Sequence, residues 1–499
     1  MLFNSHHFLL IFLPLVIFTF YLFPKYNKSY KIISLIVFSF IFYGFWNPKY
    51  ILLLLTSISI NFFISKCLTI QNKLRFETLV LGLIFNLGLI FYFKYSNFFL
   101  IEFSNLLHLE YQIIHIILPL GISFFTFQQV SYLIDQYRYK KYDYRFCDYA
   151  LYVSFFPQLI AGPIVRHDKF IPQLMESKPS SIQFNISLGI TFLTCGLAKK
   201  VLIADFLSNY SHKAFNPNNV DKLDFIASWV GAIAYTFQIY FDFSGYSDMA
   251  IGLGLLLGFK LPVNFNSPYK ATSIIDFWRR WHITLSQFLR DYLYIPMGGN
   301  KASSVKTMTN LIITMFLGGL WHGAGWTFIV WGLMQGLFLS LNHLWKNSLP
   351  KVMTIPKRWA KFIYWPLTFS TIIFSWVVFR SESINHALVY IKNMIGLNGI
   401  LLPARWGEMI DQSKNYEKYF SPLVDFNKNH IIAFILLLVF VVKMPNTQNI
   451  LNYNENNESK LNTNSFFKFN IVYGFVFGII LSICIINITT KSEFLYFQF

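Results

Sequence analysis

His322 lies in Leu317-Gly-Gly-Leu-Trp-His-Gly-Ala-Gly-Trp326, inside an apolar stretch from Leu311 to Leu341. An imidazole exchanges a proton near neutral pH. A titratable side chain in sequence of lipid-depth character marks a functional site by default. Gly318, Gly319, Gly323 and Gly325 remove bulk around it, so backbone or substrate can come close. Basic residues flank the stretch on both sides (Lys301 and Lys306, then Lys346, Lys351, Lys357 and Arg358). Both ends are therefore expected in the cytoplasm, making a hairpin with His322 near its apex. The plainer reading is a core histidine bonded to a neighbouring carbonyl.

Two other segments concentrate polar chemistry. In Asp276-Phe-Trp-Arg-Arg-Trp-His-Ile-Thr-Leu-Ser-Gln-Phe-Leu-Arg290, helical spacing puts Trp278, Trp281, Leu285 and Phe288 on one face. Arg279, His282, Ser286 and Arg290 fall on another. That pattern predicts a helix in the interface plane, its aromatic face in the acyl boundary and its cations toward headgroups. Asp276 is placed to pair with Arg279 or Arg280. His282 is either part of a site or an ordinary interfacial histidine. In Tyr240-Phe-Asp-Phe-Ser-Gly-Tyr-Ser-Asp248, Asp242 and Asp248 interrupt an apolar run from Phe225 to Phe259. Each would cost about 2.5–3.5 kcal/mol at a helix centre on insertion scales. The run is long for one span, so a break at Ser244-Gly245 is expected. The two carboxylates then either cap a broken helix or line a cavity. In Phe155–Ile164, Pro157, Gly162 and Pro163 suggest a re-entrant segment.

These segments must be positioned by a chain that water alone cannot cover. Of 499 residues, 55% are hydrophobic and 13% charged, against roughly 25% charged in soluble domains. Apolar runs at Phe8–Phe23, Ile32–Trp46, Ile51–Ile64, Leu79–Phe93, Ile431–Val442 and Ile471–Ile488, with less clean stretches, give about 11 transmembrane spans. Phe8–Phe23 has no basic n-region and no small-residue cleavage site after it, so it is read as a retained span. The expected fold is all-α and polytopic, with re-entrant and interfacial helices enclosing a tunnel. Residues 1–499 form one membrane domain: peripheral spans at 1–95, a functional core at 116–345 and C-terminal spans at 346–499. Polar loops are expected at 396–429 and 445–465, the second exposed. The net charge of +18 falls mainly between apolar runs. It therefore reads as the positive-inside signal and not as nucleic-acid binding. Cys67, Cys147, Cys195 and Cys484 have no paired spacing, so free, buried thiols are expected and no metal site is suggested.

With these residues in view, the chain resembles the membrane-bound O-acyltransferase family, in its bacterial branch that includes alginate O-acetyltransferase membrane subunits and peptidoglycan-acetylating relatives. The likeness rests on Pro119–Phe127, Phe155–Arg166, Gln238–Asp248, Phe277–Arg290, Tyr294–Asn300 and Gly318–Trp331. It covers roughly residues 1 to 380 and fades after about Gly396. The resemblance implies two family histidines at His282 and His322. It also implies transfer of an acyl group, most simply acetyl, from a cytoplasmic thioester such as acetyl-CoA to an extracytoplasmic polysaccharide hydroxyl. The enzyme would work in the bacterial inner membrane with a periplasmic acetyltransferase- or esterase-like partner, and with no bound cofactor.

On that reading His322, kept neutral by burial, acts as general base, and His282 assists at the cytoplasmic mouth. Arg279 and Arg280 attract the phosphates of the donor. Asp242, Ser244, Asp248, Trp278, Trp321 and Trp326 are candidates to line the tunnel, and either carboxylate could orient a histidine. Ser244 or Ser286 could carry a covalent intermediate. Two alternatives remain open: a D-alanyl transferase of the same family, using a carrier-protein thioester, and a polysaccharide-related transporter or flippase. A transporter would gain from inverted repeats, which are not evident. A scaffold in an export complex would leave the embedded histidines and carboxylates unexplained.

Overall fold

The structure, a computed structural model, describes residues 1–22, 28–70, 73–110, 116–140, 142–175, 182–301, 303–348, 357–403, 420–421, 428–453, 470–488 and 494–495. Among these residues the chain is helical apart from a two-residue parallel bridge, Leu402–Pro403 with Phe420–Ser421. The long runs fold as helices because apolar residues continue with few interruptions, Pro366 inside Lys361–Arg380 being one, and lipid leaves backbone groups no partners but each other. Five helical stretches are long and apolar enough to cross a membrane: Lys49–Thr69, Arg75–Leu107, Asn185–Ala214, Trp326–Lys346 and Lys361–Arg380. Phe8–Leu22, His430–Lys443 and Ile471–Ile486 are shorter apolar helices. These counts are of the described residues; further helices there, among them Lys28–Gly44 and Ser304–His322, follow other apolar runs.

The chain divides into two compact units. The first comprises Met1–Ala198, Gly245–Val263 and Ile450–Gln498. Its helices include α1 (Lys49–Thr69), α2 (Arg75–Ile90), α3 (Ile122–Tyr139) and α4 (Ile182–Leu197). Many of the large apolar side chains on α1 and α2 are exposed, as for lipid-facing helices. Their inner faces are glued by amides. Asn61 and Asn86 donate to each other at 3.2 and 2.6 Å, and Gln129 donates to Ser57 at 2.9 Å. Such buried polar pairs hold helices together where apolar contact alone gives no advantage over lipid. Phe155–Ile164 is buried and broken as its Pro and Gly residues require: a short helix, Phe156–Leu159, gives way to irregular backbone before His167.

The second unit comprises Lys199–Ser244 and Asn264–Asn449, together with the terminal Phe499. Its helices are α5 (Asp205–Ala214), α7 (Ile274–Trp278), α8 (Ile283–Leu289), α9 (Ser304–His322), α10 (Trp326–Ser348), α11 (Lys357–Arg380) and α12 (Ile384–Met394). Helix α6 (Phe225–Leu256) contributes residues to both units and is unbroken over 32 residues. The expected break at Ser244-Gly245 is therefore corrected. The glycine that a close approach requires here is on the facing helix: a Cβ on Gly196 of α4 would stand 2.5 Å from the Gly245 carbonyl oxygen, so α4 meets α6 with its backbone.

Three further expectations change. The Asp276–Arg290 segment is two short helices with a sharp turn between them. Trp278 and Trp281 are buried in protein, not spread in the acyl boundary. The stretch 445–465 begins buried, with Asn446, Thr447 and Gln448 packed in the second unit; positions 454–465 lie outside the described residues, as does most of 396–429. The four cysteines are free, but only Cys484 is buried and Cys147 is exposed.

The α9–α10 hairpin is as the sequence suggested, and it is set by glycine. A Cβ on Gly332 would lie 2.5 Å from the Met315 carbonyl oxygen, and one on Gly319 would lie 2.9 Å from the Gly332 Cα. Gly332→Ala should therefore force the pair apart and cost about 1–3 kcal/mol as overpacking. Gly88→Ala, whose Cβ meets nothing within 4 Å, should be neutral or slightly stabilising, since Ala favours helix by roughly 1 kcal/mol over Gly. Thermal unfolding of the detergent-purified full chain checks this; matched midpoints for the two variants would refute the glycine contact.

Candidate active site

Asn264 and the backbone on either side of it build the turn that carries His282. The His282 backbone has φ 41° and ψ 56°, a left-handed conformation uncommon for a residue with a Cβ. It persists because neighbours hold the chain from both sides. The Ile283 amide donates to the Asn264 carbonyl, and the Asn266 amide to the Arg280 carbonyl, each at 2.9 Å. Arg280 pairs with Asp276 at 2.9 Å and also donates to the Asn266 carbonyl at 3.3 Å. From the far side, Gln448 donates to the Phe265 carbonyl and Asn446 donates to the Asn266 side chain at 2.8 Å. Strain of this kind clusters where geometry is functional.

The imidazole of His282 has its tautomer assigned by the same asparagine. Asn264 Oδ1 receives the Thr284 backbone N–H at 3.3 Å and the Thr284 hydroxyl at 3.0 Å. A backbone N–H can only donate, so this atom is an acceptor. His282 Nδ1, 3.1 Å from it, must then be the protonated nitrogen. Nε2 is left as the basic one. The ring is fully buried, and desolvation pushes its pKa down to about 3, so His282 is neutral at physiological pH.

Aromatic rings surround it. Phe243 of α6 stands edge-on with centroids 4.8 Å apart, Phe265 lies at 6.3 Å and Trp321 at 6.0 Å. Trp321 also touches the second histidine: its ring is 5.0 Å from that of His322. The two histidines thus flank one tryptophan. His322 ends α9 and is buried, with Trp331 and Phe379 edge-on at 5.2 Å each. Trp331 stacks on Trp376 at 5.8 Å, and Trp376 meets Trp281 at 4.9 Å. Trp278 packs on Trp331 at 6.0 Å and donates to Gln335 at 3.1 Å. Both imidazoles therefore sit in a shell of large, stiff rings. Such walls exclude water and fix ring orientation, as acid–base chemistry requires.

The other residues singled out from sequence fall in different places. Asp242 is buried and bound by Lys200 at 2.7 Å, and that lysine also holds Asp205 at 2.9 Å. Lys200 stands in a π-helical turn, Ala198–Ala204, a distortion frequent at functional sites. Ser244 is buried, and its hydroxyl has no hydrogen-bond partner among the described residues. Asp248 is buried and belongs to the first unit. Arg279 and Trp326 are exposed, and Arg280 is partly exposed. Sequence reasoning missed Asn264, Lys200, Phe243, Trp331 and Phe379. Lys200 alone had a signal, a charge inside the apolar run after Ile182. The rest are polar or aromatic residues of ordinary type, made special by what they touch.

Comparison with known proteins matches the model of the membrane-bound O-acyltransferase family over residues 38–380, a range that contains both histidines. The chain belongs to that family. It is an O-acyltransferase, a membrane enzyme. A Helicobacter pylori protein named peptidoglycan O-acetyltransferase is 38% identical, with 100% of this chain and 98% of that protein covered. A Pseudomonas aeruginosa protein named probable alginate O-acetylase is 40% identical over 78% of this chain and 73% of its own length. A Bacillus subtilis teichoic acid D-alanyltransferase is 25% identical over 54% of this chain and 70% of its own.

Two predictions follow from the geometry at His282. Asn264→Ala removes the acceptor for three buried donors, each costing about 1–3 kcal/mol when orphaned. The unfolding midpoint and transferase activity should both drop, with Asn264→Asp recovering part of the midpoint. An unchanged midpoint in the alanine variant would contradict the pinning role. The second concerns pH. The imidazole resists protonation when folded but not when unfolded, so the unfolded state binds more protons as pH falls. Its stability contribution is intact above about 6.5 and is lost progressively toward about 3. A His282→Gln variant should show a shallower decline of stability over that window, by up to about 1.4 kcal/mol per pH unit; parallel curves would overturn the assignment.

Proposed function

We propose that this enzyme moves an acetyl group from acetyl-CoA, presented on the cytoplasmic side, to a hydroxyl of an extracytoplasmic cell-wall or exopolysaccharide glycan, directly or through a periplasmic partner protein. The reading is carried by one observation: two buried imidazoles, His282 and His322, on one shared tryptophan inside an aromatic shell. The names of the relatives that align over most or all of the chain, peptidoglycan O-acetyltransferase and probable alginate O-acetylase, support acetyl as the group and a glycan as the acceptor. The D-alanyltransferases align over about half of this chain and at lower identity.

His322 is the general base. It accepts the proton of the attacking hydroxyl as the oxygen bonds to the thioester carbonyl carbon. The tetrahedral intermediate then collapses, the C–S bond breaks, and the imidazolium returns its proton to the thiolate. His282, its basic nitrogen defined by Asn264, holds the thioester on the other side of Trp321. The exposed Arg279 and its basic neighbours attract the donor's phosphates at the cytoplasmic mouth. The enzyme resides in the inner membrane, with spans beyond the five described completing a tunnel.

General acid–base help is worth typically 10²–10⁴ in rate, so His322→Ala should lower transfer of label from radiolabelled acetyl-CoA to glycan by about that factor at matched protein level. Wild-type rates in the variant would remove His322 from the chemistry. No label from wild type, with label from a charged carrier protein, would instead favour the D-alanyl reading.

A further inference from the structure

Around Phe215, just after α5, the second unit gathers hydrogen-bond donors that nothing in the reaction above uses. The Phe215 ring stacks on Tyr390 with centroids 4.4 Å apart. Tyr235 lies 5.5 Å and His386 6.5 Å from the same ring, and the Arg380 guanidinium carbon sits 5.9 Å from its centroid. Arg380 also stands 6.0 Å from the Tyr235 ring. Among the described residues no carboxylate pairs with Arg380, which stands over these two rings and whose charge also acts on His212 and His386.

The other two groups are buried and unsatisfied. The Tyr235 hydroxyl has no hydrogen-bond partner among the described residues, and neither has His386 Nε2. His386 Nδ1 accepts the Glu382 backbone N–H at 3.3 Å. Burial keeps that imidazole below its usual pKa and so neutral, and Nε2 therefore carries the proton. A guanidinium, an imidazole N–H and a phenol O–H around one ring make a set that is cationic and rich in donors. Native proteins rarely bury such groups without an acceptor. Nearby carboxylates do not hydrogen-bond these donors: Asp242 is held by Lys200, while the exposed Glu382 and Asp221 act on His386 through their charge alone.

We propose that Arg380, Tyr235 and His386 form a subsite for a carboxylate of an anionic glycan acceptor. Arg380 grips the carboxylate in two-pronged fashion, and the other two donors complete it. The site lies beside the chemistry, because Phe379, the residue before Arg380, has its ring 5.2 Å from that of His322. It also lies at the right end of its helix. Helix α11 begins among Lys357, Arg358 and Lys361, the end that the positive-inside bias assigns to the cytoplasm. The inference rests on the acyltransfer reading for the acceptor's class, but its test does not require turnover.

Binding to the detergent-purified full chain is measured for a hexameric uronic-acid oligosaccharide and for its carboxyl-reduced, neutral counterpart. Wild type and His322→Ala should both prefer the charged hexamer by about tenfold or more, the scale of a charge-assisted hydrogen bond. Arg380→Gln should abolish the preference while binding the neutral hexamer as wild type does. Arg380→Lys should keep part of it, and Tyr235→Phe should weaken the charged hexamer several-fold. Equal affinity of wild type for the two hexamers, or an undiminished preference in Arg380→Gln, overturns the subsite. Normal binding with no label transfer would count against the acyltransfer reading and leave the subsite standing.

Discussion

One asparagine side chain decides the form of the second unit's centre. Asn264 Oδ1 gathers a backbone amide, a hydroxyl and an imidazole N–H within 3.3 Å. Three donors on one acceptor in a buried setting lock the turn at 282. Without that acceptor three buried donors would be left unpaired and nothing would select the His282 tautomer. The arrangement makes His282 a neutral group with a defined basic nitrogen. That is harder to achieve in an apolar environment than simply placing a histidine there, because an imidazole rotates and changes tautomer unless something chooses for it.

The second histidine is positioned by a different device. His322 is the last residue of α9, and α9 is held against α10 by glycines whose Cβ atoms would collide. Close backbone packing brings Trp331 of α10 against His322. Phe379 of α11 meets it from another side. Trp321 then spans to His282. One imidazole is oriented by hydrogen bonding and the other by steric enclosure, and both end on the same indole. Two independent supports with a common wall fix both rings in one orientation, the kind of preorganisation that group transfer exploits.

Charge at membrane depth is handled with the same economy. Lys200 is shared by Asp205 and Asp242, so one buried cation balances the buried Asp242 while also holding the partly exposed Asp205. A lone carboxylate on α6 would be expensive; a bound one lets the helix run on for 32 residues. Arg380 is the counterexample in the same unit, a cation facing aromatic rings. The contrast between a sated lysine and an arginine with aromatic company is what distinguishes a structural ion pair from a binding position.

Much of this was legible in the residues. The apolar runs, the polar core between 116 and 345 and the two histidine segments follow from solvation, since a charge or imidazole in apolar sequence has few places to be. The hairpin at His322 followed from glycine and flanking charge. By contrast, α6 continues through Ser244-Gly245 with Gly196 of α4 against it, and periodicity does not reveal which helix lies opposite. Trp278 and Trp281 were legible as an apolar face, but whether such a face meets lipid or protein is decided by packing. Sequence by itself determined that this is a membrane acyltransferase carrying His282 and His322. Only the tertiary structure decided that Asn264, Trp321 and Lys200 serve them or their neighbours, because a hydrogen bond, a ring contact and an ion pair join residues 18 to 42 positions apart and leave no trace in local spacing.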